Sequence, residues 1–485
     1  MPAKEFIVAI ELGSSKITGI AGKKNNDGSI SVLHVVTEDS SSFIRKGIIY
    51  NIDKTGACLA EIINKLKAAL KSEISHIYVG VGGQSIRSVR NVIVKEMDGD
   101  GAIITQDMVN ELMDANRSMI YPDQEILDAV TQEYKVDAQY QLDPVGVQCK
   151  RLEGNFLNIL WRKAFYRKLN QCFDNAGIAI CEMFLAPMAM ADSVLTEAEK
   201  RVGCVLIDLG AETTTVSVYF KNILRHLVVI PLGGNNITKD IASQQIEEGD
   251  AEKMKLKYAS AYTANGDIDK EQSYPIDKER SIDSLLFVEI VEARMEEIIV
   301  NAWNQVPAEY KGKLLGGIIL TGGGSNMKNI ERAFHNHTNV DKIRVAGFVR
   351  QVIHSSHPAI EARNGSMNTI LGLLAKGNMN CAGPDLKSGG DLFGTNKPTV
   401  LSTTDIHSSP RQANEIETGV VMTAAEREKA EEEAIRKAEE EERKRLEEEE
   451  LKKKEEEEKK KNSIFNRVKK MFENIGKTMM DTDPE

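Results

Sequence analysis

The chain has 485 residues, room for roughly two to four domain-sized units. Its formal net charge of -11 and pI near 5.5 argue against nucleic acid as the main partner, because binding a phosphate backbone needs a net basic face. The six cysteines (Cys58, Cys149, Cys172, Cys181, Cys204 and Cys381) have no CxxC pair and no zinc spacing, so they read as free thiols of a reducing cytosol. No run of about 18 apolar residues is present to span a bilayer. The N-terminus MPAKEFIVAIELG lacks the parts of a secretory leader, so a cytoplasmic protein is expected.

In chain order, Ile7 to Ala21 (IVAIELGSSKITGIA) reads as strand, tight turn and returning strand, and Ser31 to Val36 continues as strand. Asn51 to Leu70 carries a helical apolar stripe at Leu59, Ile62, Ile63, Leu66 and Leu70, and Ile74 to Val81 is the next strand. From Gly82 to about Asn158 charged and turn residues dominate, with short strand-like pieces at Arg90 to Val94 and Tyr134 to Val136. This is read as an inserted subdomain.

A helical pattern resumes from Leu157 through Leu169, Cys172 and Phe173. Gly177 leads into a strand at Ile178 to Cys181, and Met183 to Leu195 reads as a helix with Pro187 in its first turn. Val205 to Tyr219 (VLIDLGAETTTVSVY) repeats the order of the first hairpin: apolar strand, acid, Leu-Gly turn, hydroxyl residues, second strand. Pro231, Gly233 and Gly234 precede a further helix. Residues 247 to 305 are a mostly polar insertion with its clearest helix at Ile282 to Ile299, and Gly316 to Ile330 is a buried strand, a triple-glycine turn and a helix start.

Order is expected to end beyond Gly377. Residues 378 to about 423 are rich in Ser, Thr, Gly, Asn and Pro and read as a tether. Residues 424 to 461 alternate blocks of Glu with Lys and Arg, giving either a solvated helical rod of roughly 55 Å or a disordered charged linker. In Ser463 to Met480 the apolar residues Ile464, Phe465, Val468, Met471, Phe472, Ile475 and Met479 form one helical face, while Arg467, Lys469, Lys470 and Lys477 occupy the rest. That pattern fits a helix lying in the interface of an anionic phospholipid membrane.

No Walker loop GxxxxGK[ST] occurs, so a triphosphate would need other donors. The two hairpins supply them: Gly13 and Gly210 permit tight turns, Ser14, Ser15, Thr213 and Thr214 add hydroxyls, and Lys16 adds a charge. Glu11 and Asp208 stand at the strand ends, where they are candidates to hold waters of a hydrated magnesium ion and so to position them for catalysis. Thr321 to Asn326 (TGGGSN), after a strand, lets backbone pass close to a base or its phosphates.

These motifs (AIELGSSK, LIDLGAETTT, the helix LAPMAMADSVL before the second hairpin, LTGGGSNM and the final NTILGLLA) resemble the actin, sugar-kinase and chaperone ATPase superfamily. More closely, with AVTQEYKVD, DPVGVQ, the Val229 to Asn236 segment and DAEKMKLKYA, the chain resembles the FtsA family of bacterial cell-division proteins over roughly residues 5 to 376 plus the terminal helix. The resemblance implies an α/β, actin-like (ribonuclease H-like) two-lobed ATPase fold with an inserted subdomain, followed by a disordered or helical linker and a C-terminal amphipathic helix. Its first lobe core would be 1–81, 159–200 and 346–377, and the inserted subdomain 82–158. The second lobe core would be 201–246 and 308–345 with an insertion at 247–307, the linker 378–461 and the membrane-targeting helix 462–485.

The resemblance also implies ATP and Mg as ligands, self-association into an actin-like filament, and attachment of FtsZ, through its C-terminal peptide, to the cytoplasmic face of the cell membrane at the septum. Later division proteins would be recruited there. Carried over by position, Gly233, Gly234, Glu252, Lys255, Gly322, Gly323, Gly324 and Ser325 would face the nucleotide, and Arg294 would lie on the FtsZ-docking helix. The chain departs from the family pattern at Glu11, usually Asp, at Ala211 and Glu212, usually glycine, and at Ala186, where hydrolytic relatives carry an acid or amide. These departures predict nucleotide occupancy with at most weak hydrolysis. The alternatives are a nucleotide-independent membrane scaffold and an ATP-dependent kinase of the same fold.

Overall fold

The computed structural model describes residues 5–97, 99, 101–264, 272–277 and 280–383, with the backbone at 419–420. Two sheets organise them. The first has the strand order Ala179–Leu185, His76–Val81, Ile7–Leu12, Lys16–Lys24, Ile30–Asp39, Ile353–His354. In the second, Ile223–Ile230, Thr214–Phe220, Cys204–Leu209, Gly317–Thr321 and Ile343–Val345 lie side by side in that order. Each half is therefore an antiparallel three-stranded meander whose first strand pairs in parallel with a later one: Ile7–Leu12 with His76–Val81, and Cys204–Leu209 with Gly317–Thr321. The internal repeat read in the sequence is a repeat of topology.

Local chemistry explains the elements. The helix Ile52–Leu70 starts where the Asn51 side chain accepts from Lys54 N at 2.9 Å and stops at Lys71, which turns left-handed with φ 49°. Its stripe of Leu59, Ile62, Ile63 and Leu66 is buried on the first sheet. Truncating one of these to alanine costs about 2–5 kcal/mol. The final helix Asn368–Lys376 lies against Ala186–Val194 so closely that a Cβ at Gly372 would stand 2.6 Å from the Ala189 carbonyl oxygen. Only a glycine admits that approach.

The region after Gly82 differs from its sequence reading. Its strands are long, Arg87–Glu96, Gln124–Val136 and Arg151–Arg162, with a helix at Gln106–Arg117 capped by Thr105. Charged residues on the open sheet face had broken the alternation into apparent fragments. A small core of Ile93, Leu112, Leu152 and Phe156 holds this unit. A single register pair, Arg87 with Val228, joins its sheet to the second-lobe meander. Buried Arg225 secures the junction by donating to Gln132 Oε1 at 3.3 Å and Glu133 Oε1 at 3.2 Å.

Residues 157–162 are strand rather than helix, because Leu157 through Trp161 are buried along a sheet covered on both faces; the helix begins at Lys163. Met183–Leu185 likewise extend the strand from Ala179, and the following helix starts at Ala186. The chain also stays docked past Gly377. Cys381 is fully buried, its N–H donates to Phe6 O at 2.8 Å, and its carbonyl accepts from Ser75 N at 2.9 Å. The charged segment 424–461 and the amphipathic segment 463–480 lie outside the described residues. All six cysteines are free. Among the described residues no helix is long and apolar enough to cross a membrane.

Glu199 illustrates how the two lobes are fastened. It closes a capping box with Thr196 and accepts from Arg344 Nε at 2.7 Å and Nη2 at 2.9 Å. The Arg344 and Thr196 donors outweigh its burial and hold its carboxyl down at about 2, below the ordinary 4.5. A depressed carboxyl contributes stability that is complete above about 4.5 and is lost as pH falls through about 2. Glu199→Gln is accordingly expected to lose about 2 kcal/mol at neutral pH, with the gap from wild type closing toward pH 2, as measured by urea unfolding across that range.

Candidate functional site

The two hairpin turns are built alike. Gly13 N donates to Lys16 O at 3.0 Å, and Gly210 N donates to Thr213 O at 2.9 Å. A Cβ at Gly13 would stand 2.7 Å from Lys16 O and one at Gly210 2.8 Å from Thr213 O, so both turns require glycine. The acids repeat as well. Glu11 lies opposite Thr18 and Asp208 opposite Thr215, each in the same register relative to its turn.

Burial pushes the Glu11 carboxyl up to about 7. Lys16 opposes that shift and Asp208 adds to it, while a Thr369 hydroxyl hydrogen-bonds to Glu11. Burial also pushes Asp208 up, to about 6. Asp208 is near enough to raise Glu11, Asp208 itself is raised by burial, and Lys16 is the cation that acts on Glu11, so the two carboxyls form a pair suited to a cation. Lys16 Nζ also lies 3.9 Å from Met367 Sδ.

The hydroxyls divide in role. Ser14 is buried and its Oγ accepts from Gly47 N at 2.8 Å. Ser15 is exposed, Thr213 half-buried, and Thr214 buried with its hydroxyl donated to Leu232 O at 2.8 Å. Thr214 thus fixes the next loop.

Gly233 and Gly234 fold back onto the second turn. Gly234 N donates to Gly210 O at 3.0 Å and Asn235 N to Ala211 O at 2.7 Å, and a Cβ at Gly233 would meet Ala211 O at 2.6 Å. Lys255 Nζ reaches Gly234 O at 3.1 Å and Thr238 Oγ1 at 2.8 Å, and pairs with Glu252 Oε2 at 2.6 Å. Glu252 also accepts from Thr238 Oγ1 at 2.5 Å. Glu252 and Lys255 are therefore brought beside the second turn, but they are engaged with each other and with the helix Gly234–Ala242.

The glycine turn separates into two kinds of position. Gly322 has φ 82°, and a Cβ there would stand 2.2 Å from Asp208 Oδ1; at Gly324 it would meet Leu209 Cβ at 2.9 Å. At Gly323 a Cβ meets nothing within 4 Å. Ser325 is buried and donates to Gly322 O at 2.7 Å. Gly365, Asn368 and Thr369 complete the neighbourhood and were not singled out as site residues from the sequence. Asn368 donates to Thr321 Oγ1 at 3.0 Å and Ala346 O at 2.8 Å. A Cβ at Gly365 would lie 3.1 Å from Gly322 N. Their only sequence signal was a polar Asn-Thr pair opening an apolar helix.

Two further residues are engaged with protein partners. Glu212 turns away from its own turn: Oε2 accepts from Lys46 N at 2.6 Å, and Oε1 is 3.8 Å from Lys239 Nζ. Arg294, on the helix Ser284–Asn304, forks onto Asp240 with contacts of 2.5 and 3.0 Å and also pairs with Glu297. The residues Ile464, Phe465, Arg467, Val468, Lys469, Lys470, Met471, Phe472 and Ile475 lie outside the described residues.

A family model described as cell division protein FtsA matches residues 205–372, and one described as an SHS2 domain inserted in FtsA matches residues 83–160. A cell division protein FtsA of Porphyromonas gingivalis is 32% identical over 326 residues, covering 66% of this chain and 68% of the relative. That of Neisseria meningitidis is 32% identical over 336 residues (67% and 80%), and that of Escherichia coli K12 is 25% identical over 357 residues (70% and 84%). Among solved structures, a PilM-PilN type IV pilus biogenesis complex covers 77% of this chain and 98% of its own at a TM-score of 0.53 and 13% identity, a likeness of fold alone. The paired meanders and the inserted unit make up an actin-like α/β fold.

The glycine positions make a direct test. Gly322→Ala is expected to cost about 2 kcal/mol or more, through its positive φ and its clash with Asp208. Gly323→Ala is expected to stay within about 0.5 kcal/mol of wild type, both read from denaturant unfolding.

Proposed function

Because the chain belongs to the FtsA family of cell division proteins, we propose that it is an ATP-binding, actin-like adaptor that attaches FtsZ filaments to the cytoplasmic face of the cell membrane at the division septum. The observation that carries the nucleotide part is the set of two like-built glycine turns, the Glu11 and Asp208 carboxyls, and the glycine turn in which Gly322 lies on Asp208 and Gly323 is left open. Phosphate oxygens are received by the turn amides and by the Ser15 and Thr213 hydroxyls, with Lys16 supplying charge. The paired carboxyls suit a hydrated magnesium ion, which prefers oxygen ligands and keeps most of its water. That ion would offset the phosphate charge.

Turnover is expected to be slow. Ala186, the first residue of the helix Ala186–Val194, has no group to orient a water. A nucleotide-independent scaffold is the second reading, favoured by the Glu212 carboxylate at the second turn. Arg294, with its fork on Asp240, holds the insertion helix Ser284–Asn304 in place, so the surface of that helix rather than a free arginine charge is proposed to meet the FtsZ peptide.

Membrane attachment rests on the sequence 463–480. Seven apolar side chains on one face, together with Arg467, Lys469, Lys470 and Lys477, give reversible binding to anionic lipid that self-association into filaments strengthens by avidity. The charged segment 424–461 gives the anchor reach. Later division proteins would assemble on this membrane-bound polymer.

Two measurements test the proposal. Gly323→Phe is expected to leave the protein folded and to weaken MgATP binding at least about tenfold by calorimetry; equal affinity would mean that the base does not sit at this turn. In sedimentation with anionic liposomes, purified FtsZ is expected to pellet only when the full chain is present. Removing residues 463–485, or changing Phe465 and Phe472 to Glu, should leave both proteins in the supernatant. Sedimentation that survives the deletion would assign the anchor to another part of the chain.

A further inference from the structure

The loop Lys46–Gly47, in the first lobe, is held from three sides. Its Lys46 N–H donates to Glu212 of the second turn at 2.6 Å, and its Gly47 N–H donates to Ser14 Oγ of the first turn at 2.8 Å. The Lys46 carbonyl accepts from Gln84 N at 3.0 Å, where the chain enters the inserted unit. Gly47 and Gly83 also face each other so closely that a Cβ on Gly47 would lie 2.4 Å from Gly83 Cα. Lys46 has φ 52°, a left-handed conformation that a lysine keeps only when its surroundings impose it.

Two of the three groups that restrain this loop thus belong to the turns that are to receive phosphate, and the third belongs to the inserted unit. Glu212 is the odd member. A carboxylate at the second turn and an incoming phosphate repel one another, and the Glu212 side chain has Lys239 within 3.8 Å to receive it once it lets go.

We propose that Glu212 is a clasp that senses the cleft. In the structure it bridges the lobes through the Lys46 amide, and the Lys46 carbonyl holds Gln84 N. A nucleoside triphosphate entering the cleft repels Glu212 toward Lys239. The loop is then freed, and with it the entry of the inserted unit. The inference rests on the nucleotide reading given above.

Hydrogen exchange at Lys46 and Gln84 in the full-length protein, run beside calorimetry with MgATP, tests it. Without nucleotide, Glu212→Ala is expected to speed exchange at both amides about tenfold or more, and saturating MgATP is expected to do the same to wild type. Glu212→Ala should also bind MgATP about tenfold more tightly. Glu212→Gln keeps an acceptor for Lys46 but no charge, so its two amides should stay protected even with MgATP bound. Unchanged Gln84 exchange in Glu212→Ala overturns the clasp. Wild type that binds MgATP while Lys46 stays protected overturns the clasp alone, and absence of MgATP binding in wild type and in both variants overturns the clasp and the nucleotide reading together.

Discussion

Backbone pressed on backbone at the Thr321–Gly324 turn is the constraint from which the cleft follows. Gly322 lies over Asp208 and Leu209, and Gly365 lies over Gly322, at distances that exclude any side chain at Gly322. Asn368 then ties Thr321 and Ala346 to the start of the final helix, whose Gly372 presses on Ala189 within the first lobe. A continuous line of close contacts therefore runs from the second hairpin to the first lobe. Asp208 lies at the start of that line under Gly322, and Glu11 meets it at Thr369 of the final helix.

The repeat goes deeper than strand order. Glu11 is in register with Gly80 on its parallel neighbour, and Asp208 with Thr321. The chain that follows is Val81-Gly82-Gly83 in one half and Gly322-Gly323-Gly324 in the other. The same glycine-rich exit has two uses. In the second half it closes on the hairpin and leaves Gly323 open. In the first it rests on Gly47 and leads into the inserted unit.

Much of the site was legible because turn chemistry is local. A glycine that must meet the carbonyl three residues on leaves a mark in sequence, and so does a run of glycines after a buried strand. The inserted unit was not legible, because long strands with one open face carry charges that interrupt alternation, and residues 157–161, buried throughout, imitate a helix stripe. Partner choice was hidden for a different reason. Whether Lys255, Arg294 or Glu212 faces a ligand or a neighbour depends on residues 17 to 166 positions away, namely Thr238, Asp240 and Lys46, and no local pattern encodes such distances.

The segment after Gly377 carries a mechanical meaning. Phe6 N donates to Asn380 Oδ1, Cys381 N to Phe6 O and Ser75 N to Cys381 O, while Gly383 N reaches Glu73 O. The strap is thus stitched between the leading edges of two neighbouring parallel strands, Ile7–Leu12 and His76–Val81. Tension applied to the chain beyond residue 383 would load several of these bonds together before it reached the final helix. The strand that bears it ends in Glu11 and the first turn, so a tug on the tail is delivered to the floor of the cleft.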